Sequence, residues 1–295
     1  MTSLSGAAPQ LYRPRPPLAR YIDYFGYWRR DSGEPHQSRA LPRGAATIIV
    51  DVGGRQRVDF YAADGRTRLE VPPAFIAGAG TASYVTQIDA AQSVLTIHFR
   101  PAGALPFTGI PLGELENSCT GLTDLWGHRG TALHEQLIAA RTAAQRIAMV
   151  ESFLLSRMQR HNLEPHRNVM AVLGAIEDDP SMRVSNAREL AELSPKRLTA
   201  AFRAEVGLAP KAYLRVRRLQ AALRRLDSGR ARGAKIAADL GYFDQAHFVR
   251  EFRSFTTMTP TEYTHRRSWL PSHVELAVAA KISKPAPRPA HMIDP

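Results

Sequence analysis

From about residue 21 to residue 100 the apolar positions come in short β-branched and aromatic runs broken by Gly, Pro and Asp-Gly. YIDYFGYWRR, ATIIVDVGG, RQRVDFYAADG, PAFIAGAG and SVLTIHFRPAG each read as a strand. Strands this short and closely spaced predict a small, cupin-like β-barrel or sandwich. The preceding residues 1–20, which include LYRPRPPLAR, read as an irregular Pro- and Arg-rich arm. After residue 110 the period lengthens: Leu112, Leu115, Leu122, Leu125, Leu133, Leu137 and Ile138 recur at helical spacing. ALHEQLIAAR and AQRIAMVESFLLSRMQR predict two amphipathic helices. In the second, Ile147, Val150, Phe153, Leu154 and Met158 share a face that packs on its own sheet or on a second copy in a homodimer. HNLEPHRN, around residues 161–168, interrupts the periodicity and reads as a linker.

From residue 169 to 267 every segment reads as helix: NVMAVLGAIEDD, SNARELAEL, PKRLTAAFRAEV, PKAYLRVRRLQAALRRLD, AKIAADL, DQAHFVREFRSF and PTEYTHRR. Beyond them, residues 271–295 lose periodicity, gain proline and read mostly as a disordered tail. The chain thus divides into a β-rich half ending in helices (1–160), a linker (161–168), an all-α domain (169–267) and the tail. Its 295 residues suffice for two cores.

Charge separates the two halves further. Residues 181–267 hold 18 Lys/Arg against 8 Asp/Glu, which is +10 of the chain's +12. A basic module beside a nearly neutral one suggests a polyanion binder joined to something else, although a merely solvated basic face has the same arithmetic. Cys119 is the only cysteine, so no disulfide framework or Cys-based zinc cluster is available, and the chain suits a reducing, cytoplasmic setting. There is no signal-peptide pattern and no apolar run long enough to span a bilayer.

The basic half repeats itself. SPKRLTAAFRAEVGLAP from Ser194 and DQAHFVREFRSFTTMTP from Asp244 align at an offset of 50, pairing Leu198 with Phe248, Phe202 with Phe252, Arg203 with Arg253 and Pro210 with Pro260. Each copy opens on an N-capping residue and follows a short helix after a tight break, which is the layout of a helix-turn-helix. In the first copy Leu198, Ala201 and Phe202 turn inward, leaving Lys196, Thr199, Ala200 and Arg203 outward. In the second, Phe248, Phe252 and part of Val249 turn inward, leaving Gln245, Ala246, Arg250 and Arg253. Small residues let a helix approach base edges, and Gln and Arg match the major groove's paired donors and acceptors. PKAYLRVRRLQAALRRLD between the copies predicts one spacer helix with Tyr213, Leu214, Leu219, Ala222, Leu223 and Leu226 facing the cores. Held by it, two recognition helices would meet successive major grooves about 34 Å apart.

These residues resemble the AraC/XylS family of bacterial transcription regulators over 169–267, above all in AADLGYFDQAHFVREFRSFTTMTPTEY. Residues 10–160, including VLTIHFRPAGALPFTGIPLGEL, look like the β-rich sensor and dimerisation half of some members. The resemblance implies promoter DNA contacts at Lys196, Arg197, Thr199, Ala200 and Arg203 in the first motif, and at Gln245, Ala246, Val249 and Arg250 in the second, with Arg253 a more general contact. It also implies activation through RNA polymerase and leaves room for a small-molecule effector. Three positions depart from the pattern: Arg188 where a small residue is expected, Glu192 where a turn glycine is expected, and Thr257 opposite Gly207.

An enzyme is the rival class, as a cupin-type or metal protein with a basic module. The sequence holds no Walker loop, HExxH, GxSxG or dinucleotide fingerprint, and GAGTASYV reads as a turn. His36, His98, His128 and His134 are scattered, with no His-x-His pair. No catalytic residue, metal ligand or cofactor is therefore assigned. Cys119 reads as a small buried hydrophobe. A constitutive regulator without effector, or a repressor, stays open. If an effector exists it belongs in the barrel, where Tyr21, Tyr24, Phe25, Tyr27 and Trp28 supply aromatic surface; alternation lets at most one subset line a pocket, and no effector residue is assigned.

Overall fold

The computed structural model describes residues 10–30, 35–54, 58–88, 92–161, 163–229, 233–267 and 272–276. Its strands are β1 (Gln10–Tyr12), β2 (Ile22–Arg30), β3 (His36–Ala40), β4 (Thr47–Asp51), β5 (Val58–Tyr61), β6 (Arg68–Leu69), β7 (Ala74–Ala77), β8 (Tyr84–Ile88), β9 (Gln92–Phe99), β10 (Cys119–Gly121) and β11 (His273–Leu276). They form two antiparallel sheets, one ordered β1-β2-β9-β4-β7-β10 and the other β11-β3-β8-β5-β6.

Alternation along β9 shows how the layers arise. Leu95, Ile97 and Phe99 point to one face and are buried against helices, while Val94, Thr96 and His98 point between the sheets. The helical layer consists of α1 (Leu105–Thr108), α2 (Leu122–Trp126), α3 (His128–Ala139) and α4 (Ala143–His161). Ile147, Val150 and Leu154 of α4 are buried in this core, and the half-buried Phe153 and Met158 pack against it. The apolar face of α4 is thus covered by its own chain.

The helical half holds α5 (Arg167–Asp178), α6 (Val184–Ala191), α7 (Pro195–Val206), α8 (Pro210–Asp227), α9 (Gly233–Asp239), α10 (Gln245–Thr256) and α11 (Pro260–Arg266). Proline at the first position starts α7, α8 and α11, where its fixed φ suits a helix and its missing N–H costs nothing. All six apolar positions expected to face inward along α8 are buried. Val169, Ala187, Leu198, Phe202, Phe248, Phe252 and Tyr263 join them in one core.

Two expectations need correction. The arm is not wholly irregular: β1 pairs with β2 and Leu18 is fully buried, because its side chain completes the helix-facing core. Nor is all of the tail free of structure. Residues 273–276 form β11, an edge strand antiparallel to β3, whose Val274 has no exposed surface. The rest of the expected tail, residue 271 and residues 277–295, lies outside the described residues.

Candidate nucleic-acid interface

Each repeat folds as a short helix, a turn and a twelve-residue helix. At the start of α7 the Ser194 hydroxyl accepts from the Arg197 amide, and at the start of α10 the Asp244 carboxylate accepts from the His247 amide at 2.6 Å. Leu198, Phe202, Phe248 and Phe252 are at most 1% exposed, so the opposite face of each helix is fixed outward. On α7 that face presents Lys196, Arg197, Ala200 and Arg203, with Thr199 half-buried and its hydroxyl donated to the Pro195 carbonyl. On α10 it presents Gln245, Ala246, Arg250 and Arg253. Val249 is half-buried and packs on the core, leaving only part of its side chain on the outer face.

The three departures resolve in physical terms. Arg188 points to solvent, because the core-facing positions of α6 are Ala187 and Ala191, both fully buried. The small residue is present one position earlier, so no charge enters a helix contact. Glu192 takes the left-handed conformation (φ +53°) that Gly241 takes in the second turn (φ +70°). Thr257 likewise caps α10 at φ +62°, as Gly207 caps α7 at φ +91°. The two ends are built alike, with a β-branched residue holding a geometry that glycine adopts without strain.

Several contacts that hold these helices had no sequence signal. Glu251, buried on α10, receives the Arg215 guanidinium of α8 at 2.8 Å, and the Arg218 guanidinium lies over the Tyr242 ring. This ties α10 to α8. Arg217 of α8 pairs with Glu177, and burial, reinforced by Arg224 and Arg43, pulls its guanidinium down to about 10. Phe243, in the turn before α10, is 92% exposed. Helix α7 instead touches the β-rich half: a Cβ on Gly113 would lie 2.9 Å from the Arg203 carbonyl.

Between the sheets lies a cavity of about 690 Å³. Tyr24, Trp28, Ile49, Phe60, Tyr84 and Val94 give it mainly apolar walls. Of the aromatic cluster, the alternate pair Tyr24 and Trp28 lines it, while Tyr21 and Phe25 fill the helix-facing core. At one end His98 stacks on Tyr24 at 4.2 Å and takes a hydrogen bond from Arg43, which also ion-pairs with Asp23 at 3.9 Å. Burial, then the neighbouring Arg43 and His273, holds His98 well below the ordinary imidazole range, so the ring is neutral at pH 7. Near the other end Arg30 bonds His36 at 2.8 Å, and the buried Gln92 amide has no hydrogen-bond partner among the described residues. Burial pushes the Cys119 thiol, also in the wall, up to about 11, which keeps it un-ionised.

His134 bonds the Asp51 carbonyl at 2.9 Å, and among the described residues no group of three His, Cys, Asp or Glu is placed to hold a metal. No helix among the described residues is long and apolar enough to cross a membrane.

Two family models match the chain: a helix-turn-helix domain over residues 188–266, and a domain of unknown function over residues 10–121. Among curated proteins, the chain is 33% identical over 106 residues to the XylDLEGF operon transcriptional activator 3 of Pseudomonas putida, covering 34% of this chain and 32% of that protein. It is 26% identical over 153 residues to the arabinose operon regulatory protein of Escherichia coli (strain K12), covering 48% and 50%. The chain thus spans half or less of the length of these relatives. Among solved structures it is similar to ToxT from Vibrio cholerae, with 13% identity, a TM-score of 0.45, and 82% of this chain and 97% of that one covered.

Proposed function

We propose, from the premise that this chain carries a helix-turn-helix domain of the AraC/XylS regulators, that it is a cytoplasmic, sequence-specific transcription regulator gripping promoter DNA in two adjacent major grooves. The carrying observation is the pair of capped, outward-facing recognition helices held by one 18-residue helix. In this reading Lys196, Arg197, Thr199, Ala200 and Arg203 meet one groove. Gln245, Ala246, Val249, Arg250 and Arg253 meet the next, with Arg250 and Gln245 reading bases. Helix N-termini and nearby arginines hold phosphates. Phe243 sits beside Gln245 with its ring free to rest on a thymine methyl or a sugar. Residues 169–267 form the DNA-binding half and residues 1–160 the sensing half, which also serves any self-association.

The sheet cavity is the effector site in this reading, suited to a largely apolar small molecule with one polar end. Gln92 is a polar group placed for such a ligand, since a buried amide without a partner among the described residues is costly to leave so. Selection of bound sequences from random duplexes by the full chain tests the DNA reading. The expected result is one enriched site with two contact blocks a helical turn apart. Affinity should fall steeply with salt as counterions are released. Binding without enrichment overturns sequence specificity.

A further inference from the structure

The last described strand belongs to neither half alone. β11 follows the second helix-turn-helix motif in the chain, yet it pairs with β3 of the β-rich half, with His273 opposite Ala40, Val274 opposite Arg39, Glu275 opposite Ser38 and Leu276 opposite Gln37. Its side chains alternate between two worlds. Val274, fully buried, sits in the core shared with Phe202, Phe252 and Tyr263, and Leu276 packs against that core. His273 and Glu275 face the other way and line the sheet cavity. The backbone binds it in on both sides: the Leu41 amide donates to the Ser272 carbonyl at 2.8 Å, and Arg267, at the end of α11, bridges to Val274. The Ser272 hydroxyl donates to Gln220 of α8 at 3.0 Å, and the Gln220 amide donates to the Pro42 carbonyl at 2.5 Å.

We infer that β11 is a strap that completes the wall of the cavity and makes the cavity and the second helix-turn-helix motif respond to one another. The inference rests on the effector and DNA-binding readings above. A molecule seated between the sheets touches His273 and Glu275. Moving either moves Val274 and Leu276, because successive residues of a strand share one rigid backbone. Val274 lies within the core beside α11 and Leu276 packs against it, so the displacement is felt where the second motif is anchored. The strand is short and on an edge, which keeps the device cheap to release.

The test is amide hydrogen exchange on the full chain, unmodified and carrying Val274→Asp. The strap predicts that protection of residues 36–41 and of residues 260–267 falls together, by at least tenfold, while β4 and β9 keep theirs. Loosening of β3 without α11, or of neither, overturns it. Leu276→Ser, at a half-buried position, should shift the same two segments in the same direction by less, and guards against a Val274→Asp chain that does not fold. A second arm uses 1-anilinonaphthalene-8-sulfonate, an apolar dye with an anionic end. Dye binding should change duplex affinity at least fivefold in the unmodified chain and less than twofold in Val274→Asp. A dye effect of equal size in both chains also overturns the strap. A dye that binds neither chain removes the effector reading, and a chain that enriches no duplex removes the DNA reading. In both cases the paired loss of exchange protection still decides the strap.

Discussion

The two helix-turn-helix motifs repeat one plan but are held differently. Offset by 50 residues, they share the N-cap, the two inward apolar anchors and the left-handed C-cap. The first needs no buried charge: the position equivalent to Glu251 is Ala201, half-buried against the core. It leans on the β-rich half, where Gly113 lets the Leu112–Leu115 turn approach the Arg203 carbonyl and Gly207 approaches the Leu112 carbonyl. The second is clamped to α8 by Glu251 and Arg215 and is followed by the strap. A shared plan of side-chain anchors thus coexists with two separate ways of fixing each motif to the rest of the molecule.

The largest effects should come from what the motifs share. Phe202→Ala and Phe252→Ala should each cost about 3–5 kcal/mol by the loss of a fully buried ring, read from denaturant midpoints. If one is near neutral, the anchors are not equivalent. Glu251→Ala should cost about 2 kcal/mol, since it removes a charge-assisted hydrogen bond from a buried site. Ala201→Gly, on the first motif, should cost about 1 kcal/mol by helix propensity alone. Equal losses would show that the clamp contributes nothing of its own.

Acid tests the β-rich half on which the first motif leans. His98 is held neutral in the fold, so below about pH 6.5 the unfolded chain takes up a proton that the folded chain refuses. Stability is therefore fully present above that pH and falls as the pH drops through it, by at most about 1.4 kcal/mol per unit. Urea midpoints between pH 7 and 5 should show the slope, and His98→Gln should flatten that contribution. One expected change is a gain. Thr257→Gly should stabilise by about 1 kcal/mol, because glycine takes the left-handed cap without the Cβ clash. Gly207→Thr should do the reverse and also press on the Leu112 carbonyl, 3.1 Å from the new Cβ.

What could be read from the residues follows the same physics. Helices α7 and α8 were legible because their ends carry local signals, a Ser cap and Pro at the start and Gly207 at the stop. The β3 and β8 strands were not, since His36, Ser38 and Thr86 face a cavity rather than an apolar core and so hide the alternation. HVEL in the tail has no local reason to be a strand; pairing with β3 makes it one. Arg188 was misplaced by a single residue, and on a helix one residue turns a side chain from core to solvent. Glu251 read as one more solvated charge because its partners lie 33 and 36 residues away on α8.

The most direct test of the two-groove account is to measure Arg197→Ala and Arg250→Ala on the selected duplex and on versions altered in one contact block at a time. Each variant should lose about 1–3 kcal/mol on the intact site. Each should then become indifferent to changes in one block, and the two variants to different blocks, about a helical turn apart. Uniform weakening by both variants on every duplex would contradict the account and leave the two helices as phosphate contacts alone.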